Sequence, residues 1–242
     1  MLDMAPESFA LLGEFGVYIR LLWLFVLIIT VLMLSLCYVF LSRRRALEKE
    51  AQSREFSHLA IEGLEAERRR VSRELHDTVL PLVRDPEVSG LIRSICTELM
   101  PPDFTRLSLK DSLAGLCMQF TQRTGIECVF SLEDELDFSP FSAENQLHLY
   151  RIVQESLTNI EKHSGSGKAA LVARRCVRGT SDTILICVSD EGKGLAEAAP
   201  RSGLGMRSMR QRAAILGAKL DFISESGNGL MVRIELEMGN QE

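Results

Sequence analysis

Residues 150–164 read YRIVQESLTNIEKHS. With the preceding SAENQLHL they form a long helix over 142–164, opened by a Ser142 cap. Glu155 and Asn159 are four positions apart and share one face, and Lys162 and His163 continue it about a turn later. An acid, an amide and a lysine on one face suit a hydrated Mg²⁺ and phosphate oxygens, because Mg²⁺ prefers oxygen ligands and keeps several waters. Taken alone, a solvated polar face explains the same residues as well.

Two glycine-bearing stretches downstream change that balance. Asp190-Glu191-Gly192-Lys193-Gly194 directly follows an apolar strand. An aspartate at a strand end can accept a hydrogen bond from an exocyclic amine such as that of adenine. Glycines two and four residues later let backbone turn sharply or approach a flat ring. Gly203-Leu204-Gly205-Met206 then feeds a helix over 206–217 closed by Gly217. Glycine backbone entering a helix N-terminus makes a phosphate site, and Arg207 and Arg210 add positive charge nearby. Between these boxes, LAEAAPRS (195–202) reads as a short nucleotide lid.

The strands flanking the boxes pair as hairpins. AALVARRCV and TILICVSD are joined by RGTSD, and KLDFISE and LMVRIELEM by a turn around SGNG. Upstream, LSLKDSLAGLCMQFTQRTG (107–125) is a helix capped by Gly125, and IECVFSLED (126–134) is a strand. The C-terminal part is therefore α/β with antiparallel hairpins, not the repeating βαβ of a dinucleotide domain.

Further towards the N-terminus, Arg43 to about Val83 has a single proline, Pro81 near its end, and is rich in Glu, Arg, Ala and Leu, all helix formers. Leu64, Val71 and Thr78 recur by sevens, as do Ile61, Arg68, Leu75 and Leu82. This imperfect a/d seam predicts packing against a partner helix, hence dimerisation. His76 and Asp77 fall beside that seam. RDPE (84–87) breaks the helix, and VSGLIRSICTELM (88–100) returns as a second, short helix ending at Pro101-Pro102. The pair makes an antiparallel hairpin, and two hairpins make a four-helix bundle.

The 21 residues LLWLFVLIITVLMLSLCYVFL (21–41) carry no charge and have the length of a membrane-crossing helix. Arg43, Arg44 and Arg45 follow at once, while Asp3, Glu7 and Glu14 precede it, which orients the C-terminal part towards the cytoplasm. About 20 residues remain outside, too few for an extracytoplasmic ligand-binding domain. A net charge of −5 over 242 residues leaves no electrostatic footprint for direct nucleic-acid binding. Six scattered cysteines without metal-type spacing read as reduced thiols.

The ordered set E-x-x-x-N, D-x-G-x-G and G-x-G-M, followed by a G-x-G hairpin, resembles the Bergerat-type ATP-binding domain shared by histidine kinases, Hsp90-type chaperones, gyrase and MutL. ERRRVSRELHD (67–77), YRIVQESLTNIEKHS, DEGKG (190–194) and GLGMRSMRQRAAILGAKL (203–220) together resemble the two-component sensor kinases of the nitrate-sensor and membrane-fluidity-sensor branch. The resemblance covers about residues 64–238.

It implies one N-terminal transmembrane helix, an α-helical hairpin dimerisation bundle and an α/β sandwich ATP-binding domain. The expected boundaries are 1–20 extracytoplasmic, 21–42 transmembrane, 43–63 signalling helix, 64–102 phosphotransfer hairpin and 107–240 catalytic domain. His76 becomes the phosphoacceptor and Asp77 the base that orients it and takes its proton. Adjacent helical side chains point about 100° apart, so their contact needs favourable rotamers or a water. Asn159 holds Mg²⁺ with Glu155 beside it, and Lys162 and His163 continue the ATP-binding face. Asp190 recognises adenine, while Gly192, Gly194 and Gly203-Leu204-Gly205-Met206 shape the pocket and lid.

The implied cofactors are ATP and Mg²⁺, and the implied partners are a second copy of the chain, a response regulator and the lipid bilayer of the cell membrane. Two departures stand out. Pro81 occupies the position of the glutamine that orients water for regulator dephosphorylation, so weak phosphatase activity is expected, and the helical hairpin is short, with only about 25 residues between His76 and Pro101-Pro102; a smaller point is Leu230 where threonine is usual. A degenerate nucleotide switch without phosphotransfer is the alternative reading. A helical adaptor with no nucleotide would leave the glycine boxes unexplained.

Overall fold

The structure, a computed structural model, describes residues 6–178, 181–194, 203–224 and 227–238. The predicted lid, 195–202, lies outside the described residues, as do parts of both hairpin turns. The chain divides into two compact units, Met1–Phe56 and Ser57–Glu242.

In the first unit, helix α1 (Pro6–Glu74) contains the segment Tyr18–Arg45, which is long and apolar enough to cross a membrane and brackets the expected 21–42. Its side chains, among them Trp23 and Tyr38, are exposed. Two hydroxyls inside it have backbone partners: Thr30 Oγ1 donates to the carbonyls of Val26 and Leu27, and Ser42 Oγ to that of Val39. Hydrocarbon demands such internal satisfaction.

The second unit opens with the helical hairpin. Regular helix ends at Glu74, earlier than the expected Val83. A π turn covers Leu75–Val79 and a 3₁₀ turn covers Leu80–Leu82. Pro81 supplies the reason: it has no N–H to give the carbonyl one turn back, so the regular ladder cannot run through it. Asp85 then caps α2 (Pro86–Leu99), its carboxylate accepting from the Glu87 N–H at 2.8 Å, with Pro86 at the first position. The hairpin is tied at Ser72, whose Oγ donates to the Cys96 carbonyl at 3.0 Å.

The remainder is a helical layer on a mixed sheet. Its elements are α3 (Leu109–Thr124), β1 (Glu127–Leu132), α4 (Ala143–Asn159), β2 (Lys168–Arg178), β3 (Ser181–Asp190), α5 (Leu204–Ile215), β4 (Lys219–Ser224) and β5 (Leu230–Glu237). Sheet order is β1-β2-β3-β5-β4. The two expected hairpins are antiparallel, and β3 also pairs antiparallel with β5. The β1–β2 pair is parallel, because α4 carries the chain back over the sheet between them.

Every cap named above forms. Ser142 Oγ accepts from the Asn145 N–H, and Gly125 closes α3 at φ 72°, a left-handed geometry that glycine takes without steric cost. The core lies between layers: Leu113, Leu149, Ile152 and Val153 from the helices meet Leu171, Ile184, Ile186 and Ile234 from the sheet, all essentially solvent-free.

Candidate functional site

The C-terminal end of α4 does not stop cleanly at Asn159. It widens into a π turn over Ile160–Ser164, which Gly165 ends at φ 68°. Such turns often mark functional sites. Ser164 presents its carbonyl to the loop after β3, where the Lys193 N–H donates to it at 3.0 Å. At the end of β3, buried Asp190 accepts from the Gly192 N–H at 2.8 Å.

Around this junction lies a cavity of about 310 Å³. Glu155, Asn159, Lys162, His163, Asp190, Gly194, Gly203, Leu204, Gly205 and Met206 all line it. Gly192 does not; it packs behind, where a Cβ would run into the Ser164 carbonyl and the Asp190 carboxylate. Ile160, Ser164, Met209, Phe222 and Leu230 complete the lining. These were not singled out from the sequence for the pocket, Leu230 apart, because they read there as ordinary core positions. Phe222 also carries Arg210 over its ring, 5.1 Å from the centroid.

The cavity thus joins the apolar side chains of Ile160, Met209, Phe222 and Leu230 to polar groups and glycine backbone. Glu155 and Asn159 supply the oxygen donors that Mg²⁺ prefers, so the donor set fits that ion beside nucleotide phosphates. Gly205 lies so close to Glu155 that a Cβ there would displace the carboxylate.

Gly229, at φ 80°, brings the β4–β5 turn against the backbone of Asp190, and a Cβ would collide with its carbonyl. Gly229→Ala is therefore strained twice, and the Asp190 peptide cannot yield as a flexible side chain would. Strain of about 1–3 kcal/mol corresponds to roughly 5- to 150-fold. Titration with a fluorescent ATP analogue is expected to show a loss of affinity in that range.

His76 and Asp77 are elsewhere. They line a second cavity, about 690 Å³, with Ser72, Arg73, Cys96 and residues of α3; among the described residues the two cavities share no lining residue. His76 Nδ1 is 3.0 Å from Asp77 Oδ1, a direct contact needing no water. The π turn carrying them spreads more residues over each turn than an α-helix and brings neighbouring side chains closer in angle. Both side chains are largely exposed, at 65% and 73%.

The hairpin and the ATPase-like layer are locked by a buried ion cluster that sequence reasoning missed. Glu65 of α1 accepts from Arg151 of α4 (Nη2 to Oε2, 2.8 Å) and from Arg212 of α5 (Nη2 to Oε1, 2.7 Å). Burial alone would raise the Glu65 carboxyl, but Arg151 and Arg212 outweigh it and hold it below the usual carboxylate range. Arg151 also donates to the Leu99 carbonyl at 2.9 Å and the Glu98 carbonyl at 3.2 Å, capping the end of α2. The available signal was a charged residue inside an apolar run: Arg151 sits between Leu149 and Ile152-Val153, all buried.

Residues 144–240 match the protein family described as Histidine kinase-, DNA gyrase B-, and HSP90-like ATPase. Over 73% of its length the chain is 31% identical to the sensor histidine kinase LnrJ of Bacillus subtilis, covering 49% of that protein. Over 79% it is 31% identical to the sensor histidine kinase MctS of Rhizobium johnstonii, covering 47% of it. The chain spans about half the length of these curated relatives. Among solved structures, the histidine kinase domain of the Erythrobacter litoralis EL346 blue-light activated kinase aligns at 21% identity with a TM-score of 0.47, covering 69% of this chain and 94% of that one. The domain after the hairpin is thus an ATPase domain of the histidine kinase, gyrase B and HSP90 class. Over most of its length the chain is similar to sensor histidine kinases.

Proposed function

We propose that the chain is a membrane-anchored sensor kinase that phosphorylates His76 from ATP and passes the phosphoryl group to an aspartate of a response regulator. The observation that carries this reading is the His76–Asp77 hydrogen bond on an exposed turn, in a chain that also holds an ATPase domain. Asp77 accepts from Nδ1–H, which leaves the lone pair on Nε2 and turns the nucleophilic nitrogen to solvent. Nε2 attacks the γ-phosphorus, the bond to the bridging oxygen breaks with its electron pair leaving on ADP, and the Nδ1 proton passes to Asp77.

Asp190 accepts from the adenine amine, and the Gly203–Met206 backbone at the start of α5 holds phosphate oxygens. Asn159, with Glu155 beside it, would hold Mg²⁺, which neutralises charge on the transferring phosphate. Because the two cavities share no described residue, transfer requires the ATPase domain to swing to His76 or a second copy to supply it. Incubation with γ-labelled ATP is expected to give acid-labile, base-stable label on the chain. Nucleotide binding without label would favour the conformational-switch reading instead.

Dimerisation is supported by the apolar residues that the hairpin leaves exposed, among them Leu64, Leu82, Leu91 and Ile95. The apolar segment 21–42 followed by three arginines supports single-pass anchoring in the cell membrane, with the kinase part in the cytoplasm.

Pro81 is exposed on the 3₁₀ turn after His76 and offers no side-chain amide to orient water. The chain is therefore expected to shorten the half-life of a phosphorylated regulator only slightly. Rapid dephosphorylation that survives both His76→Gln and a change at Pro81 would overturn this expectation.

A further inference from the structure

His58 and Glu62 stand one turn apart on α1, and Glu144 and His148 one turn apart on α4. The two pairs meet where the hairpin packs on the ATPase domain. His58 Nε2 is 3.2 Å from Glu144 Oε1, and His58 Nδ1 is 3.6 Å from Glu62 Oε1. One donor atom from each of these three residues lies within 4.8 Å of the other two.

His148 supplies a second, independent observation. Its side chain is only 4% exposed. Arg212 Nη1 lies 3.3 Å from its Nδ1, and a guanidinium can only donate, so Nδ1 accepts and the proton sits on Nε2. That Nε2–H is buried and, among the described residues, has no hydrogen-bond partner. It lies 3.7 Å from Glu144 Oε1, the same oxygen that His58 approaches. A buried donor left unpaired is costly, and this one is aimed at a carboxylate in a cluster of metal-binding groups. An ion pair between His58 and the two glutamates explains their proximity but leaves the His148 donor without a role.

We propose that His58, Glu62 and Glu144 bind a divalent transition-metal ion of the Zn²⁺, Co²⁺ or Ni²⁺ class, with the His148 N–H supporting the Glu144 carboxylate from the buried side. An imidazole nitrogen with carboxylate oxygens suits these ions, whereas Mg²⁺ and Ca²⁺ take oxygen sets. The 3.2 Å separation of the His58 and Glu144 donor atoms is that of two ligands each about 2.0–2.2 Å from one ion. Three protein ligands leave a position for water, and a buried donor to a ligating carboxylate is the usual outer partner of such a site. None of the four residues lines the nucleotide cavity, so this site is separate from the Mg²⁺ expected there. The ion would join the helix leading to His76 to the helix carrying Asn159.

The test is titration of the untagged full chain, in detergent micelles with millimolar Mg²⁺ present, with CoCl₂ followed by visible absorption and with ZnCl₂ by calorimetry. One equivalent is expected to bind, and His58→Ala and Glu144→Gln each weaken it at least tenfold, while His76→Gln and His163→Gln bind as the wild type. Saturating Zn²⁺ is expected to raise the melting temperature of the wild type but not of His58→Ala. His58 and Glu144 are both partly exposed, and unchanged circular dichroism shows that their variants fold. No binding above Mg²⁺ competition, binding that survives His58→Ala, or binding lost with His76→Gln overturns the proposal.

Discussion

Replacing His76 with glutamine is expected to abolish label transfer from γ-labelled ATP while leaving nucleotide affinity unchanged. The loss is complete because the glutamine amide has no basic nitrogen lone pair to attack phosphorus. Affinity is spared because His76 lines a cavity that shares no described residue with the one holding Asn159 and Asp190. Asp77→Asn separates two roles of its neighbour. The amide oxygen can still accept from Nδ1–H and keep the ring oriented, but it cannot take the proton, so labelling slows by about 10²–10⁴-fold rather than vanishing. Filter-bound label resolved on denaturing gels, beside a fluorescent-nucleotide titration of the same protein, reads both effects. Residual label on His76→Gln would assign the phosphoacceptor elsewhere; lost nucleotide binding would show that the two cavities are coupled.

The strand and helix pattern was legible because local signals agreed with one another. Ser142 and Gly125 form the caps their residue types favour, and both antiparallel hairpins fall where turn residues separate apolar runs. Less legible was anything set by distant partners. The parallel β1–β2 pairing depends on α4 crossing over the sheet, and no residue in ECVFSL announces its neighbour. The end of α1 was misplaced because composition favoured helix up to Val83, whereas Pro81 acts backwards on the turn before it.

The polar residues divide in the same way. Glu155, Asn159 and Asp190 stand out because a patterned motif carries them, and all three line one cavity. Glu65 sat in a helix full of charges and looked like another solvated one; Arg151 and Arg212 come from 86 and 147 positions away to meet it. His148 was likewise invisible as a buried polar group, since burial is a property of the packed layer and not of its own neighbours in sequence.

Glu65→Ala is the substitution expected to cost most in stability. Its carboxylate is 5% exposed, and the side chains of Arg151 and Arg212 are 1% and 3% exposed. Removing the acid strands two buried guanidiniums, and breaking a buried pair by deleting one partner costs about 3–5 kcal/mol. In a unit of this size each kcal/mol moves the melting midpoint by about 2–4 °C. Arg151 keeps its bonds to Gln154 and to the Leu99 carbonyl, which offsets part of the loss at one guanidinium and leaves Arg212 the more exposed to it.

The sign of the pH dependence follows from the same cluster. A carboxyl held below its ordinary range contributes fully above the unfolded value, about 4.3 for glutamate, and that contribution fades as pH falls through the lower folded value. The melting difference between wild type and Glu65→Ala is therefore expected to be constant near neutrality and to shrink in acid. The triple variant Glu65→Leu, Arg151→Met, Arg212→Met separates charge from packing. Replacing a whole buried ionic cluster by apolar groups is often neutral, so the triple should melt well above Glu65→Ala. If it melts no higher, the cluster contributes through its shape and its cap on α2, and the charges are incidental.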